Sequence, residues 1–281
     1  MKKYLMVLVI SVSTLNFAYS SEYKMLLLGD SWVQAMYQMK SFQQVFEQHG
    51  YPDFKIKGDK TAIGGTTAAF WAKPEKLDII STELKDNPSI KYVQIFLGGN
   101  DILSGKLRKG WHTKLSEQDA VLLYDKIAAN MAKIVNCCLN NRPDVKVVIS
   151  GYDYLNFEYA NSIDPNGPSC LLWQNLGCPH PAEINKVFYS LEQKIIALSE
   201  ENPRLIYVSN FGLMQYNFEG INKDSNDVYS PPGDINLPCP PTLLNGNGRD
   251  SIHLNPKGYL LVAENLFNKF YASDFRKGGT K

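Results

Sequence analysis

Apolar positions along this chain fall into two kinds of run, and the two kinds alternate. Lys24 to Leu28 is an unbroken apolar run of strand length. After Ser31, the positions Val33, Met36, Met39, Phe42, Val45 and Phe46 recur at helical spacing until Gly50, which predicts one helix there. The same reading predicts strands at Phe54 to Lys57, Tyr92 to Leu97, Val145 to Ile149 and Leu205 to Val208. Helices are predicted at Lys76 to Lys85, Ser116 to Asn140 and Pro181 to Glu200. A last helix starts at Asn255, which can cap it, with Pro256 at the first helical position, where a missing N–H costs nothing.

Strands that alternate with helices imply an α/β domain whose parallel sheet is covered on both faces. Two segments lack periodicity, Tyr152 to His180 and Gly212 to Arg249, the second broken by Pro231, Pro232, Pro238, Pro240 and Pro241. Both follow the carboxyl ends of strands, the edge at which open α/β sheets bind ligands. No internal repeat or linker divides the chain.

The first twenty residues read differently from the rest. Lys2 and Lys3 precede a short apolar run from Leu5 to Val12, and Ala18-Tyr19-Ser20 places small residues where a signal peptidase reads. Ser11, Ser13, Thr14 and Asn16 interrupt the run, which is too short to span a bilayer. The expectation is a secretory leader at 1–20, cleaved after Ser20, and one domain at 21–281 exported to the periplasm or secreted, with no stable membrane insertion. Cleavage removes two of the 29 Lys+Arg against 28 Asp+Glu, changing the formal charge from +1 to −1. A nearly neutral chain has no field to concentrate a polyanion, so nucleic acid and acidic membrane surfaces are poor partners.

Five cysteines in an oxidising compartment permit at most two bridges. Cys170, Cys178 and Cys239 should share the ligand edge, so a disulfide within that group is expected. Cys137 and Cys138 are adjacent on a helix, where a vicinal bridge is strained, and are expected as buried thiols.

Four motifs carry candidate chemistry. Gly29-Asp30-Ser31 follows the first strand and opens a helix, which exposes a serine hydroxyl at the sheet edge beside a free N–H; an ordinary N-cap serine has the same look. Asp250-Ser251-Ile252-His253 precedes the capped last helix and supplies a base with a carboxylate three residues earlier to hold its Nδ1–H. Ile63-Gly64-Gly65-Thr66-Thr67 and Leu97-Gly98-Gly99-Asn100-Asp101 follow the second and third strands. Glycine N–H groups and the Asn100 carboxamide are donors suited to an oxyanion, and each glycine pair is equally a turn.

In this order, Gly29-Asp30-Ser31, Gly65, Gly98-Gly99-Asn100-Asp101 and Asp250-Ser251-Ile252-His253 resemble the four blocks of the SGNH/GDSL hydrolase superfamily, from Met25 to about Tyr259. The resemblance implies a flavodoxin-like three-layer α/β/α fold with a five-stranded parallel sheet ordered 2-1-3-4-5. It implies an esterase or lipase activity with no metal or other cofactor, acting on a small-molecule, glycan or lipid ester. Ser31 is then the nucleophile, His253 the base and Asp250 its orienter, while the Ser31 N–H, the Gly65 N–H and the Asn100 side chain form the oxyanion hole.

The chain departs from the pattern at Trp32, where leucine is frequent, at Lys60, where a polar residue is frequent, and in its two long loops. Trp32 can pack or wall an acyl pocket. Tyr152 and Tyr154 are expected on the pocket wall with it, and Phe157, Tyr159, Trp111 and Trp173 are further candidates. Asp30 and Asp101 are read as local hydrogen-bond acceptors. His49 and His112 match no motif, and the spacing of Cys170, Cys178 and His180 fits no common zinc pattern. Three functional readings follow: an exported serine esterase cleaving a short acyl group, an acyltransferase using the same residues, and a glycan-binding module with a silent site.

Overall fold

The computed structural model describes residues 22–200, 202–219 and 233–277. The expected leader at 1–20 and its cleavage point lie outside the described residues, as do Pro231 and Pro232.

Five strands form the sheet: β1 (Tyr23–Gly29), β2 (Lys55–Lys57), β3 (Tyr92–Phe96), β4 (Lys146–Ser150) and β5 (Leu205–Val208). Their order is β2-β1-β3-β4-β5 and every pairing is parallel, as the sequence motifs implied. The central strands are apolar on both faces because helices cover both: Met25, Leu26, Leu27 and Leu28 are fully buried, as are Val93, Ile95, Val147 and Val148.

Among the described residues, twelve α-helices connect and flank the strands. They are α1 (Ser31–Gln38), α2 (Ser41–Gln48), α3 (Ala68–Trp71), α4 (Pro74–Asp86), α5 (Gly99–Leu103) and α6 (Glu117–Asn141). Then come α7 (Phe157–Ile163), α8 (Pro168–Leu176), α9 (Pro181–Glu200), α10 (Leu213–Glu219), α11 (Pro256–Leu266) and α12 (Ala272–Lys277). Helices α1, α2 and α11 pack together, and α6 packs between α4 and α9. Among the described residues no helix is long and apolar enough to cross a membrane.

Two expectations need correcting. The single helix after Ser31 is two, because Lys40 adopts a left-handed conformation (φ 56°) that ends α1 and opens α2. Such a φ costs a non-glycine residue about 1–2 kcal/mol, and local hydrogen bonds offset it: Lys40 N–H donates to Tyr37 O at 3.2 Å and Gln44 Nε2 to Met39 O at 2.7 Å. The apolar face continues across the break through Phe42, Val45 and Phe46. The two aperiodic segments also hold short helices, α7 and α8 in the first and α10 in the second. Gly167, Pro168 and the left-handed Gly177 bracket α8, a start and stop signal too close together to produce a visible period.

All five cysteines are free thiols, so the expected bridge among Cys170, Cys178 and Cys239 does not form. Cys170 is buried within α8, where its sulfur accepts from Gln174 Nε2 at 3.3 Å, whereas Cys178 is exposed beyond the end of that helix. Cys239 is buried and its thiol lies 3.7 Å from Pro240 O. Cys138 is buried within α6, and burial pushes its thiol pKa up.

Candidate active site

Gly29 ends β1 so close to β3 that a Cβ would lie 2.0 Å from Phe96 O, a contact only glycine allows. The chain then turns into α1 through Asp30. One Asp30 oxygen caps the helix by accepting from Trp32 N–H at 3.0 Å, and the other accepts the Tyr152 hydroxyl. The same hydroxyl accepts from Gly99 N–H at 3.1 Å, so Tyr152 joins the turn after β1 to the turn after β3. Burial pushes the Asp30 carboxyl up to about 7, against the Tyr152 and Trp32 hydrogen bonds that lower it.

This turn leaves Ser31 at the first position of α1, where its N–H has no intrahelical acceptor. His253 Nε2 lies 2.7 Å from Ser31 Oγ, and Asp250 Oδ2 lies 2.8 Å from His253 Nδ1. Asp250 Oδ1 accepts the N–H groups of Ile252 and His253, both at 3.0 Å, which folds the loop so that carboxylate and ring share one side. The two long segments hold this loop: Ser251 N–H donates to Ser169 Oγ at 3.0 Å and Asn156 N–H to Ser251 O at 3.0 Å. Asn255 caps α11 through Gly258 N–H at 3.0 Å, with Pro256 at the first position.

Burial opposes charge on the His253 ring, but the hydrogen bond and charge of Asp250, with the charge of Asp30, outweigh it and raise its pKa above the ordinary 6.5. Burial likewise opposes the Asp250 charge and is outweighed by His253 and the two backbone N–H groups, so its carboxyl is held below the ordinary value. A neutral imidazole oriented by a carboxylate and touching a hydroxyl can take that hydroxyl's proton.

Gly65 and Asn100 both line an open cleft of about 450 Å³. Gly65 has a φ of 75°, a left-handed conformation suited to glycine. Asn100 Nδ2 donates to Thr66 O at 2.9 Å, which uses one of its two amide protons. Asp101 accepts from Ala68 N–H at 2.8 Å and Ala69 N–H at 3.4 Å, and so fixes the Gly65 loop to the Asn100 turn.

Residues 25–266 match the model of the family described as GDSL-like Lipase/Acylhydrolase. The chain belongs to that family. The acylhydrolase is accordingly a carboxylic ester hydrolase. No curated protein matches its sequence. Among solved structures it is similar to a protein from Streptococcus pneumonia described as a platelet activating factor, with 14% identity, a TM-score of 0.52, and 91% of this chain and 87% of that one covered. It is similar to a mutant acetyl-xylooligosaccharide esterase from Geobacillus, with 16% identity, a TM-score of 0.50, and coverage of 88% and 93%. A family 3 carbohydrate esterase from Talaromyces cellulolyticus gives 14% identity, a TM-score of 0.50, and coverage of 89% and 97%. At these identities the likeness is one of fold.

Of the aromatic residues expected on a pocket wall, Trp32 and Tyr152 line a small space beside Ser31, and both, with Tyr154, also form an internal frame. Trp32, Tyr152 and Tyr154 are 1%, 5% and 2% exposed. Trp32 Nε1 donates to Ile252 O at 3.2 Å and so ties the Ser31 helix to the His253 loop. Tyr154 stacks on Phe211 with ring centres 5.0 Å apart. These rings turn inward because the polar residues between them are buried too: Asp153 accepts N–H groups of Tyr154, Gly212 and Met214 at 2.7–2.9 Å, and Asn156 Nδ2 donates to Cys239 O at 2.7 Å. Phe157 and Trp111 are buried as well, and Trp173 is half-buried with its Nε1 on Pro179 O at 2.9 Å. His49, which matched no motif, stacks on Phe267 and pairs with Glu264 at 2.8 Å. Lys60 pairs with Glu83 at 2.7 Å.

The cleft is lined instead by Leu103, Ser104, Arg108, Lys109, Lys126 and Asn130 among others, none of which the sequence motifs flagged. A signal did exist. Lys126 and Asn130 stand one turn apart on α6, on the side that also carries Leu123 and Ile127, so two polar residues interrupt an otherwise apolar helical stripe.

Proposed function

We propose that this chain is an exported serine esterase that cleaves a short acyl group, such as acetyl, from a larger alcohol. The observation that carries the reading is the unbroken relay from Ser31 through His253 to Asp250, at 2.7 and 2.8 Å. His253 takes the Ser31 proton as Oγ attacks the ester carbonyl. The Ser31 and Gly65 N–H groups and the free Asn100 amide proton receive the charge on the carbonyl oxygen. His253 then gives its proton to the leaving alkoxide, and a water deprotonated by His253 releases the acid and regenerates Ser31.

Two spaces of different size adjoin the site. One, beside Ser31 and walled by Trp32, Leu103, Tyr152, Leu155, Phe188 and Ile252, holds about 10 Å³. That is room for one water-sized group, and a methyl is the largest substituent it takes without displacing its walls. The other is the cleft of about 450 Å³, which suits the rest of the ester. The small space therefore favours an acetyl group on the acyl side and the cleft a glycan or similar alcohol on the other.

Hydrolysis of p-nitrophenyl esters with acyl chains of two to eight carbons tests both parts of the reading. The acetyl ester is expected to have the highest kcat/KM, falling on the order of tenfold or more once the chain exceeds propionyl, since overpacking a filled site costs about 1–3 kcal/mol. Ser31→Ala is expected to reduce the rate to background. Equal rates in the two proteins would overturn the assignment of Ser31.

A further inference from the structure

The cleft beside Gly65 and Asn100 carries charge that ester hydrolysis itself does not use. Arg108, Lys109 and Lys126 all line it. Some cations elsewhere are matched by carboxylates: Lys57 and Lys60 by Glu83, Lys91 by Asp144, Lys194 by Asp125. Arg108, Lys109 and Lys126 form no ion pair among the described residues.

The acid that lines the same cleft, Asp101, is turned to the N–H groups of Ala68 and Ala69. Burial raises its pKa, and the Lys126 charge is close enough to pull against that rise. Three cations against one carboxylate leave two positive charges uncompensated (3 − 1 = 2). The walls between them include Leu103, Leu123 and Leu172, apolar surfaces that concentrate a field instead of dispersing it.

The loop that presents two of these cations is held in place. Lys109 has a left-handed φ of 60°, costly for lysine, and is fixed by Gly110 N–H on Gly105 O at 2.7 Å and Trp111 N–H on Ile102 O at 3.0 Å. Helix α8 anchors the same loop through Asn175 Nδ2 on Ser104 O at 3.1 Å.

We infer that the cleft selects esters whose alcohol portion carries an anionic group, a carboxylate or a phosphate, and that Arg108, Lys109 and Lys126 determine this specificity. The inference rests on the short-acyl esterase reading. If the acyl methyl fills the small space, the alcohol occupies the cleft, which Ile252, the neighbour of His253, also lines. His253 delivers its proton to the leaving oxygen, and the anionic group lies farther along, toward α6 and the 105–110 loop.

Three phenyl acetates with a common acyl group test it: methyl 4-acetoxybenzoate (neutral), 4-acetoxybenzoate (carboxylate) and 4-acetoxyphenyl phosphate (phosphate). At low salt at least one anion is expected to exceed the neutral ester in kcat/KM by on the order of tenfold. The larger of the two ratios names the preferred group. Raising salt to about 0.5 M should bring that ratio toward one. The triple variant Arg108→Gln, Lys109→Gln, Lys126→Gln should also bring it toward one at low salt. Lys126→Gln alone should lower it severalfold, whereas Lys85→Gln, at the far end of α4 on the opposite sheet edge, should leave it where the native protein has it. Flat ratios for both anions, or a triple variant that retains the native ratio, overturn the inference. If the neutral ester is still cleaved in a Ser31-dependent way, the esterase reading survives that result. Failure to cleave any of the three overturns both.

Discussion

Asp250 uses its two oxygens for different tasks. Oδ1 holds the N–H groups of Ile252 and His253, which shapes the loop, and Oδ2 holds Nδ1 of the ring. In Asp250→Asn the amide oxygen can keep the backbone contacts, but the amide nitrogen then faces Nδ1 and forces the proton onto Nε2, the atom that must accept from Ser31. We expect kcat to fall about 10³- to 10⁴-fold with little change in Tm. The pH profile should move as well. A neutral ring is required, and in the native protein the ring is held above the ordinary 6.5, so kcat/KM should fall as pH drops through a value above 6.5. With Asp250 neutralised, that acid limb should shift to lower pH. Stability runs the other way: a histidine whose folded pKa is raised contributes fully below about 6.5 and loses the contribution as pH rises through the folded value. Paired measurements of kcat/KM and chemical denaturation from pH 5 to pH 9 check both signs.

At the scale of elements, the segment between β4 and α7 has the structural role the sequence concealed. Asp153 is 1% exposed and accepts three backbone N–H groups, which fasten the start of α10 beside the end of β4. Asp153→Ala orphans those donors and should cost about 3 kcal/mol, the order expected when buried polar groups lose a shared partner. For a domain of this size that is a fall in Tm of about 6–12 °C, read by calorimetry. Burial pushes the Asp153 carboxyl up to about 7 against the pull of those N–H groups. Its contribution to stability is thus fullest below the unfolded value of 3.8 and declines as pH rises through about 7.

Four of the five strands were legible because each is largely a compact apolar run, and a buried parallel strand has little choice but to look like that, whereas β2 (Lys55-Ile56-Lys57) is a short, partly exposed edge strand. The Ser31, Asp250 and His253 contacts were legible because an N-terminal helix turn and a capped last helix both leave local signatures. The break at Lys40 was not, since no glycine or proline marks it and hydrogen bonds formed after folding stabilise it. Tyr154 misled for a related reason. Alternating polar residues look solvent-facing until their backbone partners, 59 and 61 residues away for Asp153, are known.

On the scale of the whole molecule, near-zero net charge does not mean an even distribution. The balance of 29 Lys+Arg against 28 Asp+Glu leaves no global field, which makes the unpaired cations of the cleft a local feature. The thiols can be tested on the same scale. Without reductant, the denatured protein should titrate five thiols and the native one chiefly Cys178, the exposed cysteine; a denatured count of three would show a bridge. One further property follows from where the reacting groups lie in the chain. Ser31 and His253 are 222 residues apart, and four of the five strands, β2 to β5, are synthesised between them. A growing chain therefore carries its serine from the outset but gains its base only when α11 and the loop before it dock. Hydrolysis is the last property this protein acquires during synthesis, so a ribosome-stalled chain ending before Asp250 should fold much of its sheet and remain inert.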